Sequence, residues 1–489
     1  GWLNVHHARN EILPPRLREA LLARLRAAPA LAGLDPALLI DDKDAYEVFV
    51  REQWGTFVRR AAGTSIAKTG APYILRFERD TELQDDLAGL LRTGAIAPVR
   101  VGSPDLLPAW ARPGVLAETD DSRAARAVAL AASLAGRLDD GGERRWDDWR
   151  AIAREWAELS ILRVEMDSGS AAIAGIAPLE ATLDRAFLDW LRRRYASLGG
   201  QKLPQPHHVH HVPLWLARER QETASRRVAL IVIDGMSLAD WRVIGPAWRR
   251  RHPGWKLDEH LVLAQVPTLT AISRQALVSG RRPEQFAGSI ATNAREPHLW
   301  RQFWLEEGLQ DGAIASARLN LDAADLPALP PAQVRALYWV TNAIDDIVHG
   351  ATLGARDVVA SLRLWLDHQS PLLESAIGDL LGAGFTVAIA SDLGHVEARG
   401  TGTRTEGLAV ETRGTRARVY RDRLLARKAH EALPGTVLWG EDGLLPNDMW
   451  VVMPVGRTAF APPDDTVVTH GGPTIDEVIV PLVSIRMDT

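Results

Sequence analysis

The sequence predicts an α/β protein in which a mainly parallel sheet, covered by helices on both faces, occupies residues 226–489. Two observations indicate this fold class. Continuous apolar runs of strand length alternate with helical patterns in this half of the chain. Several of these runs also end in an acidic residue, as in VALIVIDG and VAIASD. With 46% hydrophobic residues, the 489-residue chain can form the cores of about two to four domains.

The part before this sheet is predicted to contain two further domains. Residues 1–103 combine helical patterns such as RLREALLARLRAA with the short apolar runs ALLI and PYILRF, which indicates a small α/β module. Residues 104–225 are predicted to be a helical domain and a linker, because WDDWRAIAREWAELSIL and similar segments repeat apolar residues at helical spacing. The segment GGQKLPQPHHVHHVPLW, rich in Gly, Pro and His, is interpreted as that linker.

The predicted strands and helices of residues 226–489 alternate along the chain. The predicted strands are RRVALIVID, LVLAQV, ALYWVTNAI, FTVAIASD, MWVVMPV and EVIVPLVSI, and long helical patterns such as LGARDVVASLRLWLDHQSPLLESAIGDLLGAG separate them. In sheets of this kind, sites form beyond the carboxyl ends of the strands. Polar residues that follow the strands are therefore expected to meet at one edge of the sheet.

The residues at these positions can hold divalent metals. They are acids, histidines and a threonine: Asp234, Thr270, Asp345, His349, Asp392, His395 and His470. Asp345 and His349 are four residues apart, which places both on one face of a helical turn, and His470 would complete a three-ligand set with an open position. Asp234 and Asp392, with a threonine alkoxide, would hold a second metal. Two metals about 3.5–4 Å apart can bind a nucleophile and a phosphoryl oxygen together, so phosphate-ester chemistry is expected.

Each of these residues also has a purely structural interpretation. An aspartate after a strand is commonly a helix N-cap or a turn former. Thr268 and Thr270 follow a proline and can simply cap the helix that begins near Ala271. The metal interpretation depends on the joint occurrence of these residues, in order, at the ends of apolar strands.

Composition restricts the setting and the partners. Because the chain has no cysteine, any metal must be held by oxygen and imidazole ligands. No apolar stretch approaches the roughly 20 residues that span a bilayer, and the first residues lack a signal pattern, so the sequence predicts a cytosolic protein without membrane contact. A net charge of −5 argues against general coating of nucleic acid.

One local stretch of basic residues is an exception to this balance, with nine members: Arg399, Arg404, Arg413, Arg416, Arg418, Arg421, Arg423, Arg427 and Lys428. It follows Asp392 and His395 directly. This stretch is interpreted either as a binding surface for the phosphates of DNA or oligonucleotides, or as a solvated surface helix. Arg274, Arg281 and Arg282, near the threonine turn, are closer candidates for binding a substrate phosphate.

The ordered set IDG, PTLTAISRQALVSG, DDIVH, ASDLGH and THGGPTIDEVIVPLVSI resembles the PglZ domain. This domain is a branch of the alkaline phosphatase superfamily found in bacterial BREX phage-defence systems and in some signalling regulators. The resemblance covers roughly residues 226–489. It implies an alkaline-phosphatase-like sheet, a metal-dependent hydrolase with two divalent ions (Zn²⁺ or Mn²⁺/Mg²⁺), and other BREX defence proteins as partners.

The resemblance also implies roles for individual residues. Asp234 matches the first metal-binding aspartate, and Thr270 matches the nucleophile. Asp345, His349 and His470 match the ligands of the other metal, and Asp392 matches the aspartate of an Asp-His-Gly motif.

The sequence departs from the family pattern at this last motif, because Leu393 stands where the ligand histidine is expected. His395 would then be a replacement ligand or a supporting residue, or the second metal would bind weakly and activity would be reduced or lost. A site of carboxylates and a threonine favours Mg²⁺ or Mn²⁺ over Zn²⁺.

Three functional hypotheses follow. The first is a phosphodiesterase or nuclease of anti-phage defence, in which Thr270 attacks phosphorus and a phosphothreonine forms. The second is an inactive scaffold of a defence complex, with Leu393 as the sign of decay. The third is a phosphomonoesterase or mutase that acts on a small metabolite. The sequence does not indicate an oligomeric state.

Overall fold

A computed structural model describes most of the chain. The described residues are 7, 13–27, 35–61, 74–101, 107–116, 120–139, 142–166, 173, 175–200, 205–222, 226–292, 294–321, 326–402 and 414–487. The chain divides into two compact units, Gly1–Leu179 and Glu180–Thr489. The finer division into 1–103, 104–225 and 226–489 stays a prediction. Within the described part, no helix combines the length and the apolar character needed to cross a bilayer.

The first unit is mainly helical. Its helices are α1 (Pro15–Arg26), α2 (Pro36–Asp41), α3 (Lys43–Ala61), α4 (Thr81–Arg92), α5 (Asp120–Asp139) and α6 (Trp146–Glu165), with a 3-10 helix at Ala109–Gly114. The apolar run ALLI lies inside α2, and residues 74–77 of PYILRF form no strand. The β content described here is one parallel pair, β1 (Val99–Arg100) and β2 (Val115–Leu116). Buried aromatic side chains, including Trp54, Phe57 and Phe77, form its core.

The second unit contains the predicted alternation of strands and helices. Helix α7 (Ile176–Gly199) includes the boundary between the units. The helices that follow are α8 (Val212–Glu222), α9 (Leu238–Arg251), α10 (Thr270–Ser279), α11 (Glu296–Glu306), α12 (Ala343–Gly350), α13 (Ala355–His368), α14 (Ser370–Gly382), α15 (Arg423–Ala432) and α16 (Ile475–Val478), with 3-10 helices at Val209–His211, Pro283–Ser289 and Asp311–Ala313.

Six strands of this unit form the central sheet, in the spatial order β4-β14-β7-β3-β6-β5. Their bounds are β3 (Val228–Ile233), β4 (Trp255–Leu263), β5 (Ile314–Arg318), β6 (Ala336–Thr341), β7 (Thr386–Ala390) and β14 (Ile479–Met487). Every residue of β3, β6 and β7 is buried. Because successive side chains of a strand point to opposite faces, both faces of the sheet are covered, as predicted.

The helices contact this sheet in two groups. Helices α9 and α14 contact β14 and β7, and α9 packs on α13. Helix α10 packs on α8 and on α11, α8 contacts β3, and α11 contacts β5 and β6.

The sheet is mixed rather than entirely parallel. Strands β3, β5, β6 and β7 are parallel, whereas β14 runs antiparallel to both β7 and β4. The first residue of β14, Ile479, therefore pairs with Leu263, the last residue of β4. As a result, the segment that precedes β14 lies at the same edge as the carboxyl ends of the other strands. This direction, which the sequence pattern does not indicate, brings His470 to the predicted edge.

Two small sheets lie between β7 and β14 in the sequence. One contains β9 (Arg418–Tyr420), β10 (Thr436–Trp439) and β11 (Trp450–Pro454), and the other contains β8 (Val396–Gly400), β12 (Thr458–Ala459) and β13 (Thr466–Thr469). The basic stretch contributes to both sheets, with Arg399 in β8 and Arg418 in β9.

The histidine-rich segment is not an exposed linker. His208, His210 and His211 are buried, and each bonds a backbone carbonyl oxygen of the end of α7, at Tyr195 or Gly199. Burial lowers the pKa of all three histidines, so neutral imidazoles anchor this segment.

Candidate metal centre

Three predicted ligands converge at the edge of the central sheet. Among the described residues, Asp345, His349 and His470 form a group whose candidate ligand atoms all lie within 4.8 Å of one another. Oδ1 of Asp345 lies 3.2 Å from Nε2 of His349 and 3.8 Å from Nε2 of His470. Asp345 and His349 belong to α12, one helical turn apart, whereas His470 comes from the segment before β14. The spacing of four residues thus places Asp345 and His349 on one face of a helix, as predicted.

The protonation of His470 suits a metal ligand. Its Nδ1 donates a hydrogen bond to the carbonyl oxygen of Thr268 at 2.8 Å, since a carbonyl oxygen can only accept. Nε2 is then the unprotonated nitrogen of the neutral ring. Burial lowers the pKa of His470, although Asp345 opposes this effect. The Nε2 atoms of His470 and His349 are buried and make no hydrogen bond to any described residue, as expected of atoms whose partner is a metal ion.

The two threonines of the proline turn differ in environment. Thr268 is fully buried; its hydroxyl donates to the carbonyl oxygen of Gly472 and accepts from the amide of Gly471, both at 2.9 Å. Thr270 is partly exposed and begins α10. The hydroxyl of Thr268 therefore fixes the turn to the segment after His470, and Thr270 is the threonine that a substrate can reach.

Asp234 and Asp392 lie together on the other side of Asp345. The carbonyl oxygen of Asp234 accepts from the amide of Asp345 at 3.1 Å. Oδ1 of Asp392 accepts from the amides of Gly235 at 3.3 Å and Leu393 at 3.1 Å. Burial and the charge of Asp234 raise the pKa of Asp392 well above its ordinary value, against the effect of Arg274.

Arg274 lies between these two carboxylates. Its guanidinium forms an ion pair with Asp234 through Nη1, bonds Oε1 of Glu296 through Nε at 2.8 Å, and lies 3.9 Å from Oδ2 of Asp392. The side chain is fully buried. Its predicted role in binding a substrate phosphate is therefore not supported, because the guanidinium is enclosed by the protein's own acids.

Leu393 and His395 do not provide an imidazole to this side of the site. Leu393 is fully buried. Nε2 of His395 donates to Oδ2 of Asp240 at 2.8 Å. Burial by itself lowers the pKa of His395, but Asp240 outweighs it, so this pKa lies above its ordinary value. The structure thus places His395 on Asp240, apart from the group of Asp345 and its two histidines.

Arg281 and Arg282 lie at the opposite end of α10 from Thr270. The ten residues of this helix separate them from the threonine by about 15 Å at 1.5 Å per residue. Arg281 pairs with Glu306, and the exposed Arg282 lies 3.6 Å from Glu284. The structure therefore does not bring these two predicted phosphate ligands to the site.

Most described members of the basic stretch are bound to the protein itself. Arg416 is buried and bonds Glu477 at 3.0 Å, and the guanidinium of Arg418 lies 4.3 Å from the ring centre of Phe460. The remaining described arginines have acidic partners within 3.3 Å: Arg399 with Asp464, Arg421 with Asp448, Arg423 with Glu441 and Arg427 with Glu431. Arg404 and Arg413 lie outside the described residues. These contacts argue against a surface for nucleic-acid phosphates, and the exposed Arg423, Arg427 and Lys428 of α15 fit the alternative of a solvated surface helix.

Three residues near the site were not anticipated. Glu296 and Asp240 bind Arg274 and His395 from distant parts of the sequence, so no local pattern marks them. Gly414 lies against His470, where an added Cβ would come within 2.5 Å of the His470 carbonyl oxygen. No sequence signal distinguishes this glycine from the chain's other glycines.

One family model and several solved structures are similar to parts of this chain. The family model described as the BREX system PglZ alkaline phosphatase-like domain matches residues 216–485. No curated protein matches the chain. Similar solved structures include murine ectonucleotide pyrophosphatase/phosphodiesterase 5, at 11% identity and a TM-score of 0.36, covering 53% of this chain and 88% of that one. Another is the phosphonoacetate hydrolase of Sinorhizobium meliloti, at 13% identity and a TM-score of 0.34, covering 53% and 89%.

The predicted family and fold class are confirmed. The chain has the mixed α/β architecture with a central sheet, and its scaffold is of the phosphoesterase type. Because the matched residues make up more than half of the 489, the chain belongs to the family of the BREX system PglZ alkaline phosphatase-like domain.

Proposed function

We propose that this protein is a metal-dependent phosphoester hydrolase with Thr270 as its nucleophile, and that it cleaves phosphodiesters, including those of nucleic acid, in bacterial anti-phage defence. The observation behind this proposal is the position of Thr270. It is partly exposed, and the carbonyl oxygen of its near neighbour Thr268 holds His470 of the metal group. A partly exposed threonine therefore follows, by two residues, the backbone carbonyl that binds one of the candidate ligands.

The donor atoms fit a divalent metal. Asp345, His349 and His470 provide one carboxylate and two imidazoles, a three-ligand set typical of catalytic zinc sites and acceptable to Mn²⁺. Such a metal supplies Lewis-acid polarisation of a phosphoryl oxygen and lowers the pKa of a bound hydroxyl.

The protein's own residues position the nucleophile. Thr270 is the first residue of α10, so a phosphoryl group at its hydroxyl would lie at the positive end of the helix. Ser273, one turn later, donates to the carbonyl oxygen of Asp392 and accepts from the amide of Gln265 at 2.9 Å. These bonds fix α10 to the end of β7 and so fix the direction from which Thr270 approaches.

The chemistry proceeds in two displacements. The Oγ atom of Thr270 forms a bond to phosphorus as the bond to the leaving alcohol oxygen breaks, and the alcohol leaves with a proton. Water then attacks the phosphothreonine, breaks the Oγ–P bond and restores the hydroxyl.

The test compares Thr270→Ala with the unaltered chain on bis(4-nitrophenyl) phosphate, with Zn²⁺ and Mn²⁺ supplied separately. We expect kcat/KM to fall at least about 10³-fold, because the attacking atom is lost. The folded state and the bound metal should persist, and intact-protein mass spectrometry should show a phosphorylated species only when Thr270 is present. Thr352→Ala, at an exposed threonine just after α12, is the matched control and should retain full activity.

Three results would contradict the proposal. Equal activity of Thr270→Ala and the unaltered chain would exclude this nucleophile. No turnover with any metal, together with no metal bound, would exclude the hydrolase and leave the scaffold hypothesis. A preference for 4-nitrophenyl phosphate over the diester would favour the phosphomonoesterase hypothesis instead.

A further inference from the structure

We infer that the guanidinium of Arg274 takes the place of the second metal, so that this centre binds a single divalent ion, at Asp345, His349 and His470. The inference rests on the metal centre of the proposed function and concerns the number of ions that this centre binds. It departs from the two-metal arrangement that the family resemblance implies. Four observations on the side of Asp234 and Asp392 support it.

The first observation is the position of the cation. Nη1 of Arg274 forms an ion pair with Oδ2 of Asp234 and lies 3.9 Å from Oδ2 of Asp392. A metal bound by both carboxylates would lie about 2.0–2.2 Å from an oxygen of each. The guanidinium thus already provides a positive charge beside both acids. Guanidinium and metal therefore compete for the same two carboxylates, because two cations beside them repel each other.

The second observation is that Arg274 is held firmly in this position. Its Nε bonds Oε1 of Glu296 at 2.8 Å, and Oε2 of Glu296 accepts from the hydroxyl of Tyr338 at 3.0 Å. The side chains of Arg274 and Asp392 have no exposed surface, and those of Asp234 and Glu296 have 3%. Moving the guanidinium away would leave buried carboxylates without a countercharge.

The third observation is the loss of the imidazole ligand. Leu393 is fully buried and cannot bind a metal. His395, the other histidine of this segment, donates its Nε2 proton to Asp240. Among the described residues, the candidate group of ligands includes neither Asp234 nor Asp392. The residues on this side therefore fit a cation of the protein itself better than a metal.

The fourth observation is the distance along the helix. Arg274 is four residues after Thr270 in α10, so both lie on one face, a single turn apart. A guanidinium stays charged at every accessible pH and supplies a fixed positive charge near the nucleophile. It cannot coordinate the threonine oxygen as a metal does, so the remaining metal alone would have to activate Thr270.

The experiment counts the bound metal and needs no activity. The unaltered chain is loaded with Mn²⁺ or Zn²⁺, freed of excess metal, and analysed for metal per chain by inductively coupled plasma mass spectrometry. We expect one ion per chain, and a Mn²⁺ electron paramagnetic resonance spectrum of an isolated ion without exchange coupling. The double variant Arg274→Met/Leu393→His should bind two ions and show the coupled spectrum. Leu393→His alone is the matched control and should still bind one, because the guanidinium remains.

Each outcome separates the inference from the function on which it rests. Two ions in the unaltered chain would overturn the inference and leave the hydrolase proposal intact. No ion in the unaltered chain would overturn both. If the double variant does not fold, the count and the spectrum of the unaltered chain still decide the question.

Discussion

Replacing His470 by alanine is expected to remove the bound divalent metal and to lower phosphodiester hydrolysis at least about 10³-fold. His470 supplies one of three ligands, and its tautomer is fixed by the carbonyl oxygen of Thr268. With only Asp345 and His349 left, the affinity for the metal should fall steeply, because two protein ligands seldom hold a divalent ion against water. Metal analysis after dialysis and kcat/KM for bis(4-nitrophenyl) phosphate measure the two effects.

His395→Ala is the matched control for this variant. His395 also lies near the end of a strand, but its Nε2 binds Asp240. The carboxylate of Asp240 belongs to the capping box at the N-terminus of α9. We expect this variant to retain the metal and most of the activity, with a loss of stability because the buried carboxylate of Asp240 loses its charged partner. Loss of the metal in His395→Ala and its retention in His470→Ala would show that the ligand set is wrong.

The parts of the site that were predictable follow from local geometry. An apolar strand followed by Asp234 or Asp392, and a helical pair such as Asp345 and His349, are defined by residues a few positions apart. The parallel strands then bring these short segments to one edge without further information. His470 was included because it follows an apolar run, but its arrival at this edge depends on the antiparallel direction of β14, which is set by pairing with β4 and β7.

The parts that were not predictable depend on partners distant in the sequence. No sequence feature distinguishes the three arginines near Thr270. In the structure, Arg274 is enclosed by Asp234, Glu296 and Asp392, whereas Arg281 pairs with the surface residue Glu306. Every residue of α10 from Ala271 to Ser279 is buried, whereas Arg281 and Arg282 follow the end of this helix, and only the fold decides that the helix is enclosed. The interpretation of Arg274 as a substrate ligand failed for this reason.

Partners distant in the sequence also determine which arginines of the basic stretch are buried and which are exposed. Arg416 has no exposed surface and binds Glu477, and Glu477 in turn accepts from the amides of Gly472 at 2.7 Å and Thr474 at 3.1 Å. Nη2 of Arg416 also donates to the carbonyl oxygen of Gly456 at 2.7 Å. This ion pair therefore fixes the segment that follows His470, and a role in binding nucleic acid would require breaking it.

Arg416→Met is accordingly expected to lower the free energy of unfolding by about 3–5 kcal/mol, because it leaves the carboxylate of Glu477 buried without its countercharge. Urea denaturation followed by circular dichroism measures this loss. The matched control is Arg421→Met, since Arg421 is 40% exposed and pairs with Asp448, 64% exposed, so its removal should cost less than about 1 kcal/mol. Equal small losses in both variants, with weaker binding of single-stranded DNA only in Arg416→Met, would instead indicate that Arg416 contacts nucleic acid.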